Sequence, residues 1–389
     1  GLVDEAVQHL AVLGARRQDP DHVFSSGFAR KYLFPEDTRP NYFRTIMNSE
    51  ENKKAFRGFL EVVLKQVDAE PLYKLLDDIL QYKDSHAEIY TELCRRLPEI
   101  KPGMIGGFRR ILDSLSAIKG DLAEQAQTLL PAEWKSIDGL VEIGYPGRFI
   151  NGFKERYQIN GTVAAVYEEP GLTDYIQTGF PRPYNKFQKL NYNVPSLAGL
   201  ADNSADVITC YVGLHHFPDE KLDAFLQDVR RVLRNGGRFL LVDHDVVDDK
   251  AMAMAHMAHT IFNAVTGVSL QEELAEVRNF RPISEWRERL AKHGLMLGDT
   301  GPDVPMIREG DPSRNRMICV TKPALKPAMG RIAKVSKISS SNEKKRTFTP
   351  EAKHHSGTSL FTSGAEKMKK NAQDIKKKLP KIVSGASNK

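Results

Sequence analysis

The chain has 389 residues, 41% of them hydrophobic, with a formal net charge of +6, enough length and apolar content for one large core or two domains. No apolar run approaches the roughly 18 residues a membrane span needs, and the first residues lack the basic-then-apolar order of a signal peptide. Cys94, Cys210 and Cys319 are odd in number and far apart, which makes neither a disulfide framework nor a zinc site and points to a reducing, cytoplasmic setting.

The chain starts at Gly1, not methionine, so a removed leader stays open, and Ala6 stands where a myristoylation motif wants Ser or Thr. Residues 1–135 read as a helical N-terminal domain. After a polar entry with Pro20, Pro35 and Pro40, the segment Glu50 to Val67 spaces Phe56, Phe59, Leu60, Val63 and Leu64 as one helix face. Ser49 precedes it as a cap, and Glu50 and Glu51 sit at the positive end of the helix dipole. A further helix follows Pro71, and Ser85-His-Ala-Glu88 is a capping box opening a helix to Leu97. Gly106 to Lys119 and Asp121 to Leu130 complete the set. These apolar positions have core spacing rather than catalytic spacing, so the domain is expected to act as a cap or on the substrate side.

From residue 136 the rhythm changes. Leu140 to Ile143 reads as a short buried strand interrupted by Glu142 and broken by a turn at Gly144 and Gly147; Phe149 to Tyr157 can form a helix; Gly161 to Tyr167 is a second strand ending in Glu168-Glu169. Strand, glycine turn and helix, repeated, is the pattern of an open parallel α/β sheet that binds its ligand at the strand ends. An acid roughly 20 residues past the turn is where Rossmann-like sites hold ribose hydroxyls, which nominates Glu168. The full GxGxxG pattern is absent: 146 is Pro and 148 is Arg.

The stretch Asp202-Asn-Ser-Ala-Asp-Val-Ile-Thr-Cys-Tyr-Val-Gly-Leu-His-His-Phe-Pro218 reads as strand and turn; Phe225 to Arg234 as a helix stopped by Asn235-Gly-Gly237; Arg238 to Val242 as another strand. This block resembles the class I S-adenosylmethionine-dependent methyltransferases, particularly the small-molecule type with an LHH-containing fourth strand. Arg281 to Gly294 is similar to that family's late helix before the terminal hairpin, and Arg316 to Lys322 to its last strand. The resemblance covers about 135–323 and implies a Rossmann-like methyltransferase sheet with S-adenosylmethionine as cofactor. It further implies that Glu142, Gly144 and Gly147 face the methionine and ribose part, that Glu168 holds the ribose diol, and that Tyr211 lines the methionine and acceptor side. The acid usually found after the third strand is missing; Asn191 and Asn193 stand nearest, and Asn still accepts from an adenine amino group.

Methyl transfer from a sulfonium is an in-line displacement in which positioning supplies much of the catalysis. A hydroxyl acceptor wants a base near its proton, and among His215, His216, His244, His256 and His259 the first choices are His216 and His244. Met252, Met254, His256, Met257, His259 and Phe262 form a Met- and His-rich segment suited to covering an acceptor pocket. No HExxH, Cys/His metal spacing, nucleophile elbow or Walker loop is present, so neither metal catalysis nor acyl transfer is expected.

The charge is lopsided. Residues Ala324 to Lys389 hold 16 Lys+Arg against 4 Asp+Glu, and the rest of the chain 40 against 46. This tail is nearly free of aromatics and reads as mostly disordered, with a transient basic helix at Ala365 to Leu379 ended by Pro380. It serves either as a solvated tail or as a contact to nucleic acid, an anionic membrane or a targeting receptor. The expected organisation is a helical domain at 1–135, a methyltransferase domain at 136–323 acting on a small-molecule acceptor, and the tail at 324–389. The departures at Pro146 and Arg148 keep a second reading open, a degenerate methyltransferase-fold scaffold. A nicotinamide-dependent oxidoreductase shares the early strands but does not account for the 202–243 block.

Overall fold

The computed structural model describes residues 39–100, 118–166, 183–297 and 305–324, apart from residues 66, 145, 146 and 193. By internal contacts the chain divides into residues 1–326 and 327–389. The expected tail helix, Glu168, Asn193, Pro146 and most of the Gly106–Lys119 segment lie outside the described residues.

Four helices open the described chain. Helix α1 (Tyr42–Met47) is capped by Asn41, and α2 (Glu50–Gly58) by Ser49, whose side chain accepts from Asn52 N. The single helix expected over Glu50 to Val67 changes pitch: Phe59–Leu64 is a π-turn, and Lys65, in the left-handed region at φ 55°, closes it by donating to Leu60 O. Helix α3 (Ala69–Ile79) begins two residues before Pro71, placing the proline in the first turn, where its missing N–H has no partner to lose. Helix α4 (His86–Arg96) opens on the Ser85/Glu88 capping box, both halves of which are formed. Phe43, Ile46, Phe56, Leu60, Leu72, Leu76, Ile79, Ile89 and Leu93 bury themselves in one core.

Residues 118–129 form α5. The sheet elements follow: β1 (Ser136–Ile143), α6 (Ile150–Lys154), β2 (Gln158–Val166), β3 (Lys186–Lys189), β4 (Ala205–Tyr211), α7 (Asp219–Val232), β5 (Leu233–His244), α8 (Asp249–Thr266), α9 (Leu270–Ala275), α10 (Ile283–Lys292), β6 (Met296–Leu297) and β7 (Asn315–Thr321). The seven strands are ordered β3-β2-β1-β4-β5-β7-β6. Strands β1 to β5 run parallel, and β7 pairs antiparallel with both β5 and β6. The order reverses between β1 and β4, the switch point where open α/β sheets bind ligands at their carboxyl ends.

Strand alternation sorts the core into two layers. Val141, Ile143, Ile208, Phe239 and Leu241 pack under α7 and α10 with Phe225, Trp286 and Leu290. Leu140, Val207, Leu240 and Val242 face the other way, onto Leu122 and Ala126 of α5 and onto Phe149 and Phe153. Glu142 shares Leu140's face and enters this second layer. The expected helix stop at Asn235-Gly-Gly237 is displaced. Helix α7 ends at Val232 and the glycines fall inside β5, where the register jumps from Ala205↔Leu233 to Val207↔Arg238. Gly236 at φ 81° and Gly237, whose Cβ would meet Arg234 O at 2.8 Å, make that irregularity sterically accessible.

Helix α8 closes the molecule. Asp248 caps it, accepting from Ala251 N at 2.7 Å, and Gly267 ends it in the left-handed conformation. Its alanines leave little polar surface because it is buried on most sides. Met254, Met257 and Ile261 complete the core of α1 to α4, so two of the three methionines expected over an acceptor pocket are core residues instead, while Met252 is half-buried against Val246, Ala251, Ala255 and Phe280. No helix among the described residues is long and apolar enough to cross a membrane.

Candidate functional site at the strand ends

The turn after β1 is built from backbone that only glycine adopts easily. Gly144 has φ 92° and Gly147 φ 82°. Gly144 N donates to Ala165 O at 2.9 Å, holding the turn against β2. A Cβ on Gly147 would sit 2.7 Å from Pro183 Cγ and 2.8 Å from Tyr184 Cδ1, whereas one on Gly144 would meet only Tyr192 Oη, at 3.2 Å. Tyr192, in the Asn-Tyr-Asn run after β3, therefore stands over the turn, a role that spacing alone did not reveal.

Glu142 reaches the turn from below. It is buried, and its Oε2 accepts from Phe149 N at 2.9 Å while Oε1 has no hydrogen-bond partner. Burial pushes its carboxyl up to about 7, against the pull of the Phe149 N–H and the Arg148 charge. Tyr211, at the end of β4, lies in the same layer, edge-on to Phe149 at 5.1 Å, with its buried hydroxyl also without a hydrogen-bond partner. The next residue, Val212, holds φ 53°, costly for a β-branched side chain. Its N–H donates to Val242 O at 2.7 Å, which fixes the bend that turns the chain into the 3₁₀ turn Leu214–His216.

The histidines gather at the ends of β4 and β5. His215, fully buried, donates Nδ1–H to Asp243 Oδ1 at 2.8 Å; Asp243 also accepts from His244 N at 2.8 Å. Burial raises the Asp243 carboxyl to about 6 and drives His215 well below the ordinary histidine range, so His215 is a neutral ring. His216 Nδ1 meets Val277 O at 2.9 Å and His244 Nδ1 meets Ser313 O at 2.7 Å. A carbonyl only accepts, so in both rings Nδ1 carries the hydrogen and a neutral ring's Nε2 carries the lone pair. His244 Nε2 lies 3.1 Å from His259 Nε2, so His259 is the donor of that pair. Burial also holds His259 well below its usual range. His256 stands apart from this proton order, stacked on Tyr42 at 4.5 Å.

Beneath the histidines lies a buried ionic network. Arg278 donates to Glu273 Oε2 at 2.5 Å and to Glu276 Oε2 at 2.6 Å, and Glu273 also takes Thr260 at 2.8 Å and Asn263 at 2.6 Å. His86 of α4 lies 3.1 Å from Glu273, tying the helical region to α9.

Of the residues singled out from sequence, Glu142, Gly144, Gly147 and Tyr211 converge at the β1/β4 switch point. His216 and His244 stand at the same sheet edge beside His215 and His259. Asp243, which orders His215, and Glu276, 3.8 Å from His216 and His259, carry no local sequence signal: one is the last acid of a strand and the other follows a short helix.

The family described as a methyltransferase domain matches residues 142–241. The uncharacterized methyltransferase YcgJ of Bacillus subtilis (strain 168) is 45% identical over 51 residues, 13% of this chain and 19% of that protein. The solved structure of the Bacillus YcgJ protein is 21% identical, with 50% of this chain and 75% of that one covered at a TM-score of 0.34. The Burkholderia thailandensis 1,6-didemethyltoxoflavin-N1-methyltransferase is 12% identical, covering 62% and 92% at a TM-score of 0.38. A putative methyltransferase in complex with the Haloferax volcanii Trm112 activator is 15% identical, covering 56% and 94% at 0.40. The residues that match the methyltransferase-domain family, 142–241, run from β1 into β5 of a Rossmann-like sheet with β1 to β5 parallel, the order reversing at β1/β4 and a terminal antiparallel hairpin.

Proposed function

We propose that the chain transfers a methyl group from S-adenosylmethionine to a small-molecule acceptor. The observation that carries this reading is Glu142 Oε1, a buried carboxylate oxygen without a hydrogen-bond partner beside a glycine turn at the sheet's switch point. A buried carboxylate oxygen left unpaired is costly, and a cationic ligand removes that cost; S-adenosylmethionine brings both a sulfonium and an ammonium group. When bound, the cofactor supplies an electrophilic methyl on sulfur.

The chain's own residues do the remaining work. Glu142 holds positive charge at the end of β1. Gly144 leaves the backbone bare on the side where only Tyr192 intrudes. Tyr211 supplies a hydroxyl at the end of β4, and the Val212 bend fixes its height. Glu168 and Asn193 are proposed for the ribose and adenine ends. For a hydroxyl acceptor the proton goes to His216 Nε2, since His216 is the more exposed of the two candidates and His244 Nε2 is occupied by His259. The scaffold alternative loses ground because a merely structural turn has no use for the unpartnered Oε1 of Glu142.

Calorimetric titration of the full chain with S-adenosylmethionine and with S-adenosylhomocysteine tests the reading. Micromolar binding that weakens at least tenfold in Glu142→Gln supports it; no heat from a folded wild type sinks it.

A further inference from the structure

We infer that His215, His216 and His259 form a binding site for a divalent transition-metal ion of the zinc class. One ring nitrogen from each lies within 4.8 Å of the other two. The ligand atoms follow from the hydrogen bonds. His215 Nδ1 is committed to Asp243 and His216 Nδ1 to Val277 O, leaving both Nε2 atoms with lone pairs, and His215 Nε2 is buried with no partner. His259 gives its Nε2 hydrogen to His244, so its lone pair is on Nδ1.

That last lone pair faces an anion. Glu276 Oε1 lies 3.8 Å from His259 Nδ1. Arg278 already balances this carboxylate, donating to its Oε2 at 2.6 Å, so Glu276 can stand beside a ring that binds a metal without needing the ion as its own counter-charge.

The outer contacts match what metal-binding histidines show: each ring's far nitrogen is held by a carboxylate, a backbone carbonyl or another imidazole, which fixes tautomer and aim. Ligand nitrogens about 2.0–2.1 Å from zinc stand roughly 3.3 Å apart in a tetrahedron, so an ion would draw together rings whose nitrogens already approach within 4.8 Å. Three neutral imidazoles suit zinc, cobalt or nickel and not magnesium or calcium, which prefer oxygen. Three protein ligands also leave a position open, and His216, 19% exposed, lies on the accessible side. Local sequence spacing hides the site because His215 and His216 come from the 3₁₀ turn after β4 and His259 from the middle of α8. The inference does not rest on methyl transfer, and an ion would take the same His216 lone pair that serves there as proton acceptor.

The test is calorimetric titration of the chelator-stripped full chain with zinc sulfate, repeated with cobalt chloride and read by the visible absorption of tetrahedral cobalt. Variants are His216→Gln, His259→Gln and, because the tail holds adjacent histidines, the double change His354→Ala with His355→Ala. Thermal melts in chelator establish that each variant is folded. One equivalent bound at micromolar affinity or tighter, weakened tenfold or more in both His216→Gln and His259→Gln and kept in the tail variant, is the expected result. No binding by the wild type, binding that survives either single change, or binding lost with the tail histidines overturns the site.

Discussion

Phe149 N donates to Glu142 Oε2 at 2.9 Å, so the residue that opens α6 is tied to the acid that closes β1, across the whole glycine turn. Only one of the two carboxylate oxygens is used, and this asymmetry sets a pH dependence. With its carboxyl raised to about 7, Glu142 favours the folded state most below its unfolded value. That advantage is lost as pH rises through 7. At pH 8 Glu142→Gln is therefore expected to stabilise the ligand-free protein by about 1–3 kcal/mol, measured by urea unfolding. The same variant should bind S-adenosylmethionine less well. In the wild type, affinity should rise toward pH 8, changing by up to about tenfold per unit below 7; a flat profile in calorimetry would count against Glu142 as the cationic partner.

The two glycines of the turn should separate strain from crowding. Gly161, at φ 84° in β2 with open space where a Cβ would stand, gives the reference: Gly161→Ala should cost about 1–2 kcal/mol from the left-handed backbone alone. Gly147→Ala adds overlap with Pro183 and Tyr184 and should cost roughly 1–3 kcal/mol more. Gly144→Ala should resemble Gly161→Ala in stability yet impair cofactor binding. Denaturant midpoints and binding isotherms on the three variants give the comparison.

Arg278 compensates two buried acids at once. Replacing it as Arg278→Met leaves Glu276 without its arginine and Glu273 with only the more distant Arg39, at 3.6 Å, and should destabilise the protein by about 3–5 kcal/mol. Arg278→Met combined with Glu273→Gln and Glu276→Gln should recover part of that loss. A melt showing the triple variant no better than the single would mean the arginine acts by packing.

The tail should be separable from the sheet. Truncation after Ala324 removes the basic excess of 16 Lys+Arg over 4 Asp+Glu and is expected to leave S-adenosylmethionine affinity unchanged within about twofold, a change of under about 0.5 kcal/mol. Any nucleic-acid binding of the full chain that falls steeply with salt should vanish in the truncated form.

Local rules carried much of the architecture. The Ser85/Glu88 capping box, the Ser49 cap and the alternating apolar strands were legible because each depends on neighbours a few residues away. The Glu50 to Val67 helix was read too long because a π-turn and a left-handed lysine leave no mark on apolar spacing. Asn235-Gly-Gly237 looked like a terminator, and in isolation it would be one. Here the pairing of Leu233 with Ala205 outweighs the local preference and absorbs the glycines into β5. The meeting of Glu142 and Gly144 at the β1/β4 switch point was legible, since acid and glycine sit within one turn. The histidine arrangement was not, because the partners that set its protons, Asp243, Val277 O and Ser313 O, are brought in by the sheet and the loops.

Helix α8 carries Met254 and Met257 on one side and His259 on another. Phe43 and Ile46 rest against the first side, and the imidazoles against the second. A rigid rod shared in this way cannot be nudged at one wall without being felt at the other. Whatever occupies the histidine pocket and draws His259 inward will alter how firmly α1 is seated, so amide exchange at residues 42–47 becomes a remote gauge of occupancy.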